Sequence, residues 1–314
     1  MATAGRHIAI VGAGLVGSGW AVVFARTGHN VRVYDPSEGV RRGVSGWAKT
    51  TLDSLQSAGL VADPESVLNG ITVVDSMAAA VSSAVYVQES VFETIESKTA
   101  VSLEIDQYLS ADAVVGSSSS GIPASRFTES CANRARFLIA HPVNPPHLVP
   151  VVELVPAPWT DPLAVEQARQ LMMAVGQVPV SLQGEVDGFI LNRLQGALLN
   201  EAFALYSEGY ASINDIDATV SAGLGMRWLF MGPFETIDLN APGGIADYAA
   251  RLGPMYHKMA LSRRYPKPWA QDAIASAEAE RRNSLPVEQL ARKREWRDLI
   301  LARIAAFKQN EGIP

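Results

Sequence analysis

Residues 7–17 read His7-Ile-Ala-Ile-Val-Gly-Ala-Gly-Leu-Val-Gly17, and an aspartate, Asp35, stands 18 positions beyond the last glycine. A short apolar run ending in glycine reads as a buried strand, and a helical pattern follows from about residue 15 to 28. A second β-rich run over residues 30–34 completes a βαβ unit. Within such a unit each glycine has a physical task. Gly12 permits the tight turn, Gly14 lets backbone approach a pyrophosphate without a Cβ in the way, and Gly17 allows close packing of helix on strand. The amides of Leu15 and Val16 open the helix, where unpaired N–H groups hold phosphate charge. Asp35, at the end of the second strand, can accept hydrogen bonds from a ribose diol and repels a 2′-phosphate, so the cofactor read here is NAD in preference to NADP. Arg41 and Arg42 would soften that preference if they turned towards the ribose.

The same alternation continues outward. Short apolar runs at residues 71–74, 84–89, 113–116 and 136–141 are separated by helical patterns, and runs at 151–156 and 177–182 flank a helix carrying Ala164, Ala168, Leu171 and Met172. The expected class is therefore α/β, a Rossmann-type doubly wound sheet followed by an all-helical C-terminal domain. From Gly188 the texture changes: Phe189, Ile190, Leu194, Leu198, Ala202 and Leu205 recur at near-helical spacing while β-branched runs become scarce. This sets an expected boundary, with a nucleotide domain over 1–187 and a helical domain over 188–314. The last helix is expected to bury a face of Trp296, Leu299, Ile300, Ile304 and Phe307.

Composition excludes several classes. The chain has 314 residues, 48% hydrophobic and 18% charged, enough apolar material for a packed core throughout. A formal charge of −6 disfavours a polyanionic partner such as nucleic acid. One cysteine, Cys131, and five histidines form no cluster at metal-ligand spacing, so no metal is expected. The first seven residues leave no room for a signal peptide, and no apolar stretch reaches membrane-spanning length. A cytoplasmic, membrane-free protein is the expectation.

Further motifs follow in order: Ser117-Ser-Ser-Ser120, His141-Pro-Val-Asn-Pro-Pro146, Val152-Glu153-Leu-Val-Pro156 and Gly188-Phe-Ile-Leu-Asn192-Arg-Leu194. Together with the glycine turn and Asp35 they resemble the 3-hydroxyacyl-CoA dehydrogenase superfamily over nearly the whole chain. Gly223-Leu-Gly-Met-Arg227, then Gly232-Pro-Phe-Glu-Thr236 and Leu239-Asn240, resemble its λ-crystallin branch, which includes L-gulonate 3-dehydrogenases. The resemblance implies an NAD-dependent oxidoreductase acting on a secondary alcohol. It implies a catalytic His141 paired with Glu153, Ser120 and Asn192 on the substrate oxygen, and Glu93 and Lys98 in contact with NAD.

Chemistry supports the catalytic set independently. Alcohol oxidation needs a base for the hydroxyl proton, and imidazole titrates near working pH. A carboxylate such as Glu153 can hold that imidazole in one tautomer. Ser120 and Asn192 offer a hydroxyl and an amide, neutral donors suited to a developing alkoxide or ketone oxygen. His7, His29, His147 and His257 match no catalytic position.

For the substrate, residues 43–59 contain one lysine, Lys49, where acyl-CoA-accepting relatives carry a lysine-rich hairpin. Arg227, in its glycine-rich segment, can grip a carboxylate in bidentate fashion. These features point to a small hydroxy or keto acid, and the resemblance to the λ-crystallin branch implies L-gulonate, oxidised at C3, as the leading candidate. A short-chain 3-hydroxyacyl-CoA, carnitine or a diketo ester is the alternative, and a non-catalytic NAD-binding protein is a distant one. The family implies a homodimer formed through the helical domain, for which Trp228, Leu229, Phe230 and Met231 offer an apolar surface.

Overall fold

The structure, a computed structural model, describes residues 6–263 and 268–313; the first five residues, read above for a leader, lie outside the described residues. Strands β1 (His7–Val11), β2 (Val31–Tyr34), β3 (Ile71–Val73), β4 (Ala84–Glu89), β5 (Val114–Ser117), β6 (Phe137–Pro142), β7 (Val151–Pro156) and β8 (Val178–Ser181) fall where the apolar runs place them. The intervening helices are α1 (Leu15–Ala25), α2 (Glu38–Ser57), α3 (Pro64–Asn69), α4 (Met77–Val81), α5 (Ile95–Tyr108), α6 (Ser125–Thr128) and α7 (Pro162–Ala174). After β8 come α8 (Leu191–Ser207), α9 (Ile213–Ala218), α10 (Gly225–Trp228), α11 (Pro233–Leu239), α12 (Gly244–Ser262), α13 (Gln271–Ser284) and α14 (Leu290–Asn310).

The described strands form one sheet in the order β3-β2-β1-β4-β5-β6-β7-β8. Its first six strands follow the doubly wound nucleotide-binding order, with the switch point between β1 and β4, where the crevice beyond the strand carboxyl ends takes ligand. All neighbours are parallel except β6 and β7. That antiparallel pair sets His141 directly opposite Glu153. Helix α1 is buried from Gly17 to Ala25, because it lies under the sheet among Ile8, Ile10, Val31, Val33 and Leu138. This explains why it is apolar all round instead of along one stripe. It ends at Ala25, three residues before the sequence pattern does.

The chain separates into two compact units. One unit is residues 1–193 together with Trp296–Gly312; the other is essentially Leu194–Glu295. The end of α14 returns to the nucleotide unit, where Ala302 is buried with Val22, Ala48, Leu52, Leu55, Val61 and Leu148, and Leu301 packs against them. The face that α14 buries is thus not the expected one: Trp296, Leu299 and Phe307 are each at least 40% exposed. Small Ala302 permits the close approach that a larger side chain would block.

In the helical unit the described residues bury little. Thr236 and Ala241 are its buried side chains, while Trp228, Leu229, Phe230, Phe234 and Leu239 are exposed. No described helix is long and apolar enough to cross a membrane. No group of His, Cys, Asp and Glu among the described residues could hold a metal ion.

Candidate active site

The glycine turn behaves as its spacing requires. Gly12 has φ +92°, and a Cβ there would stand 2.6 Å from the Ser90 carbonyl oxygen. A Cβ on Gly17 would fall 1.9 Å from the Gly12 oxygen, so helix and turn tolerate no side chain at that crossing. Around Gly14 nothing lies within 4 Å of a Cβ position. The amino end of α1 has no side-chain cap and no acidic residue in its first turn, leaving its donors open to an anion. Asp35 accepts from the Ala13 amide at 2.9 Å and from the Ser37 amide at 2.8 Å, which fixes its carboxylate at the end of β2. Arg41 donates to the Asp35 carbonyl at 2.6 Å and to the Pro36 carbonyl at 3.2 Å, and Arg42 pairs with Glu38. Arg41 also pairs with Asp75 at 3.7 Å, so both cations already have partners. An open backbone cradle, an uncapped helix end and a fixed carboxylate suit a pyrophosphate and ribose.

The catalytic candidates converge within the nucleotide unit. His141 Nδ1 lies 2.8 Å from Glu153 Oε2, and the pair is buried. Glu153 Oε1 accepts from the Ile190 amide at 2.8 Å and the Leu191 amide at 2.9 Å, at the start of α8. Burial pushes the Glu153 carboxyl up, but the His141 contact and these two amides outweigh it and hold it below its ordinary value. A carboxylate there requires Nδ1 to carry the proton, which leaves Nε2 as an acceptor. One residue further along α8, Asn192 Nδ2 donates to the Ser120 carbonyl at 2.6 Å. His141, Glu153, Asn192 and Ser120 are thus joined through the first turn of α8.

Some expected residues sit differently. Lys98 is 1% exposed, with Nζ 3.0 Å from both oxygens of Glu89, itself 1% exposed. Ser117 donates to Glu89, and the Val91 amide does so at 2.7 Å. The Lys98 ammonium is therefore committed to a buried pair that ties α5 to the end of β4. Glu93 bonds to Ser119, Ser120 and Gly121 instead of pointing freely to solvent. Arg227 lies on the four-residue α10 in the helical unit and is exposed. His147 is buried, with Trp47 edge-on at 5.7 Å and its carbonyl accepting from Arg26 at 3.0 Å. Burial, helped by the Arg26 charge, pushes its pKa down to about 4, which makes it a neutral packing residue.

Sequence reasoning missed Phe189 and Glu89. Phe189 is not helical: it is fully buried with φ +52°, a left-handed conformation uncommon for a bulky residue. Its ring centre stands 5.8 Å from that of His141, so it forms an apolar wall beside the imidazole. The sequence signal was the preceding Gly188, also at positive φ, which marks a turn ahead of α8. Glu89 carried no signal beyond its place at a strand end.

Comparison with known proteins agrees with this geometry. Residues 7–186 match the family described as 3-hydroxyacyl-CoA dehydrogenase, NAD binding domain, and residues 188–287 match its C-terminal domain. The chain is 36% identical over 311 residues to a 3-hydroxyacyl-CoA dehydrogenase of Gibberella moniliformis, covering 97% of this chain and 95% of that one. It is 36% identical to the lambda-crystallin of Oryctolagus cuniculus, covering 98% and 97%. Among solved structures, a 5-formyl-3-hydroxy-2-methylpyridine 4-carboxylic acid 5-dehydrogenase, an NAD-dependent dismutase, superposes with a TM-score of 0.73 at 27% identity over 91% of this chain and 98% of the other. A nucleotide cradle on β1 and α1, a His-Glu pair across β6 and β7, and family matches on both sides of residue 187 lead to one conclusion: this chain belongs to the 3-hydroxyacyl-CoA dehydrogenase family of NAD-dependent oxidoreductases.

Proposed function

We propose that this protein oxidises a small 3-hydroxy acid at C3, with L-gulonate as the leading substrate. The observation that carries the reading is the buried 2.8 Å His141–Glu153 pair joined through α8 to Asn192 and Ser120. Gly12, Gly14, Gly17, the Leu15 and Val16 amides and Asp35 would hold NAD, which supplies the hydride acceptor when bound. His141 Nε2 takes the C3 hydroxyl proton, and Glu153 stabilises the imidazolium that forms. Asn192 uses one N–H on Ser120 and retains a second for the substrate oxygen. Phe189 keeps water from one side of the imidazole.

Two features support a free acid over an acyl-CoA. Lys49, the lysine of α2, is engaged by Asp53 at 3.0 Å, leaving that helix little charge for a nucleotide tail. The relative that acts on a pyridine carboxylic acid covers nearly the whole chain. Arg227 is proposed to bind the acid's carboxylate. It follows a π-helical turn over Thr219–Leu224, an irregularity frequent at functional sites. The exposed Trp228, Phe230 and Phe234 support a homodimer through the helical unit; sedimentation at micromolar concentration should give twice the chain mass.

The deciding experiment measures NAD reduction with L-gulonate, L-carnitine, 3-hydroxybutyrate and 3-hydroxybutyryl-CoA. L-Gulonate should exceed the thioester in kcat/KM by at least tenfold. His141→Ala should abolish turnover with NADH affinity within threefold, and Arg227→Ala should raise KM for the acid. Preference for the thioester would overturn the substrate assignment, in favour of a short-chain hydroxyacyl-CoA dehydrogenase.

A further inference from the structure

Glu93 lies in the loop between β4 and α5, yet its hydrogen bonds go to the loop after β5. Its Oε1 accepts from the Ser120 amide at 2.6 Å, the Gly121 amide at 2.8 Å and the Ser119 hydroxyl at 2.9 Å. Its Oε2 accepts from the Ser120 hydroxyl. Burial alone would raise this carboxyl, but the donors outweigh it and bring the pKa down to about 2. All three polar groups of Ser120 are therefore held by side chains from elsewhere in the chain: N and Oγ by Glu93, and O by Asn192. A carboxylate has about four acceptor sites. Three of these donors gather on Oε1, and the Ser120 hydroxyl alone takes Oε2.

We propose that Glu93 is a positioning residue that sets Ser120 for turnover by fixing the Ser119–Gly121 turn and taking the hydrogen bond of the Ser120 hydroxyl. Because the one hydroxyl proton of Ser120 is directed to Glu93, its oxygen is offered as an acceptor to a substrate hydroxyl other than the C3 hydroxyl whose proton His141 takes, and its orientation is set before substrate arrives. Preorganisation of this kind avoids reorganisation during the reaction. The inference rests on Ser120 being a substrate contact, as assigned above. It gives Glu93 a role that acts through Ser120.

The test uses the full chain as wild type, Glu93→Gln, Glu93→Ala, Ser120→Ala and the Glu93→Gln/Ser120→Ala double variant. Hydrogen–deuterium exchange of a peptide covering residues 117–123 should be at least tenfold faster in Glu93→Ala, with exchange in β1 unchanged. NADH affinity, read by fluorescence, should stay within threefold. On a substrate that wild type turns over, Glu93→Gln should lower kcat by 10- to 100-fold, and should cost nothing more in the Ser120→Ala background. Additive losses in the double variant would overturn the proposal. So would a tenfold loss of NADH affinity with kcat unchanged at saturating cofactor, or unaltered exchange at 117–123. If wild type turns over nothing on the panel, the substrate reading fails; exchange and NADH affinity still decide whether Glu93 holds the turn or the cofactor.

Discussion

Replacing Glu153 by Gln changes one oxygen for an NH₂ group and keeps the shape, so its effect can be worked from hydrogen-bond polarity alone. The carboxylate has donors on both sides: His141 at 2.8 Å on Oε2, and the Ile190 and Leu191 amides at 2.8 and 2.9 Å on Oε1. A glutamine has one acceptor oxygen and must choose. With its oxygen towards His141 the base keeps its tautomer, but the NH₂ group then faces two amide donors, a cost of about 1–3 kcal/mol for each amide left unpaired. With its oxygen towards the amides every group is satisfied, provided His141 Nδ1 accepts and Nε2 carries the proton. The second arrangement is lower in energy, and it removes the base. The analogous change in a hydrolase triad lowers kcat by about 10⁴, or roughly 5 kcal/mol of barrier. Glu153→Gln should therefore lose on the order of 10³- to 10⁴-fold in kcat, with NADH affinity within threefold and a melting temperature within a few degrees of wild type. Steady-state turnover, NADH fluorescence and thermal unfolding measure the three quantities. A kcat within tenfold of wild type would refute the assignment of Glu153 as the residue that fixes the His141 tautomer.

Two glycines should separate cofactor binding from folding. Gly17→Ala places a methyl 1.9 Å from the Gly12 oxygen and should destabilise the chain by several kcal/mol in urea titration, whereas Gly14→Ala meets nothing within 4 Å and should keep wild-type stability while weakening NADH about tenfold or more. Equal stability losses would contradict the packing account. Acid should also act through Glu93. Its folded pKa of about 2 lies below the ordinary 4.5, so its contribution is present above pH 4.5 and fades as pH falls towards 2. For this half-exposed group, solvent screening reduces the ideal linkage to about 1–2 kcal/mol. Urea midpoints between pH 5 and 3 should fall less steeply in Glu93→Gln; parallel slopes would contradict the reading.

Much of this was legible in the sequence because parallel strands are buried on both faces and read as apolar runs, and because the glycine turn is a local device. The His141–Glu153 pair was legible only as two motifs, since the antiparallel register that sets them opposite each other depends on how β7 returns beside β6. The part played by Glu93 was not legible. A carboxylate ahead of a helix looks the same whether it meets solvent, ribose or a neighbouring loop, and its partners lie more than 25 residues away. Lys98 was obscured for the same reason, its counter-ion being named only by the fold. The buried face of α14 was misread because a count of large apolar residues favours Trp296 and Phe307, while the contact with α2 is decided by the small Ala302.

The return of α14 also bears on the order in which the molecule can be made. The seat formed by Ala48, Leu52 and Leu55 is synthesised early, but the residues that cover it, Leu301 and Ala302, follow only after the whole helical unit. At roughly 5–20 residues per second, that interval lasts about 12–50 s on the ribosome. During it the nascent nucleotide unit presents an uncovered apolar strip, a natural ligand for a chaperone, and it is sealed only when the final helix emerges.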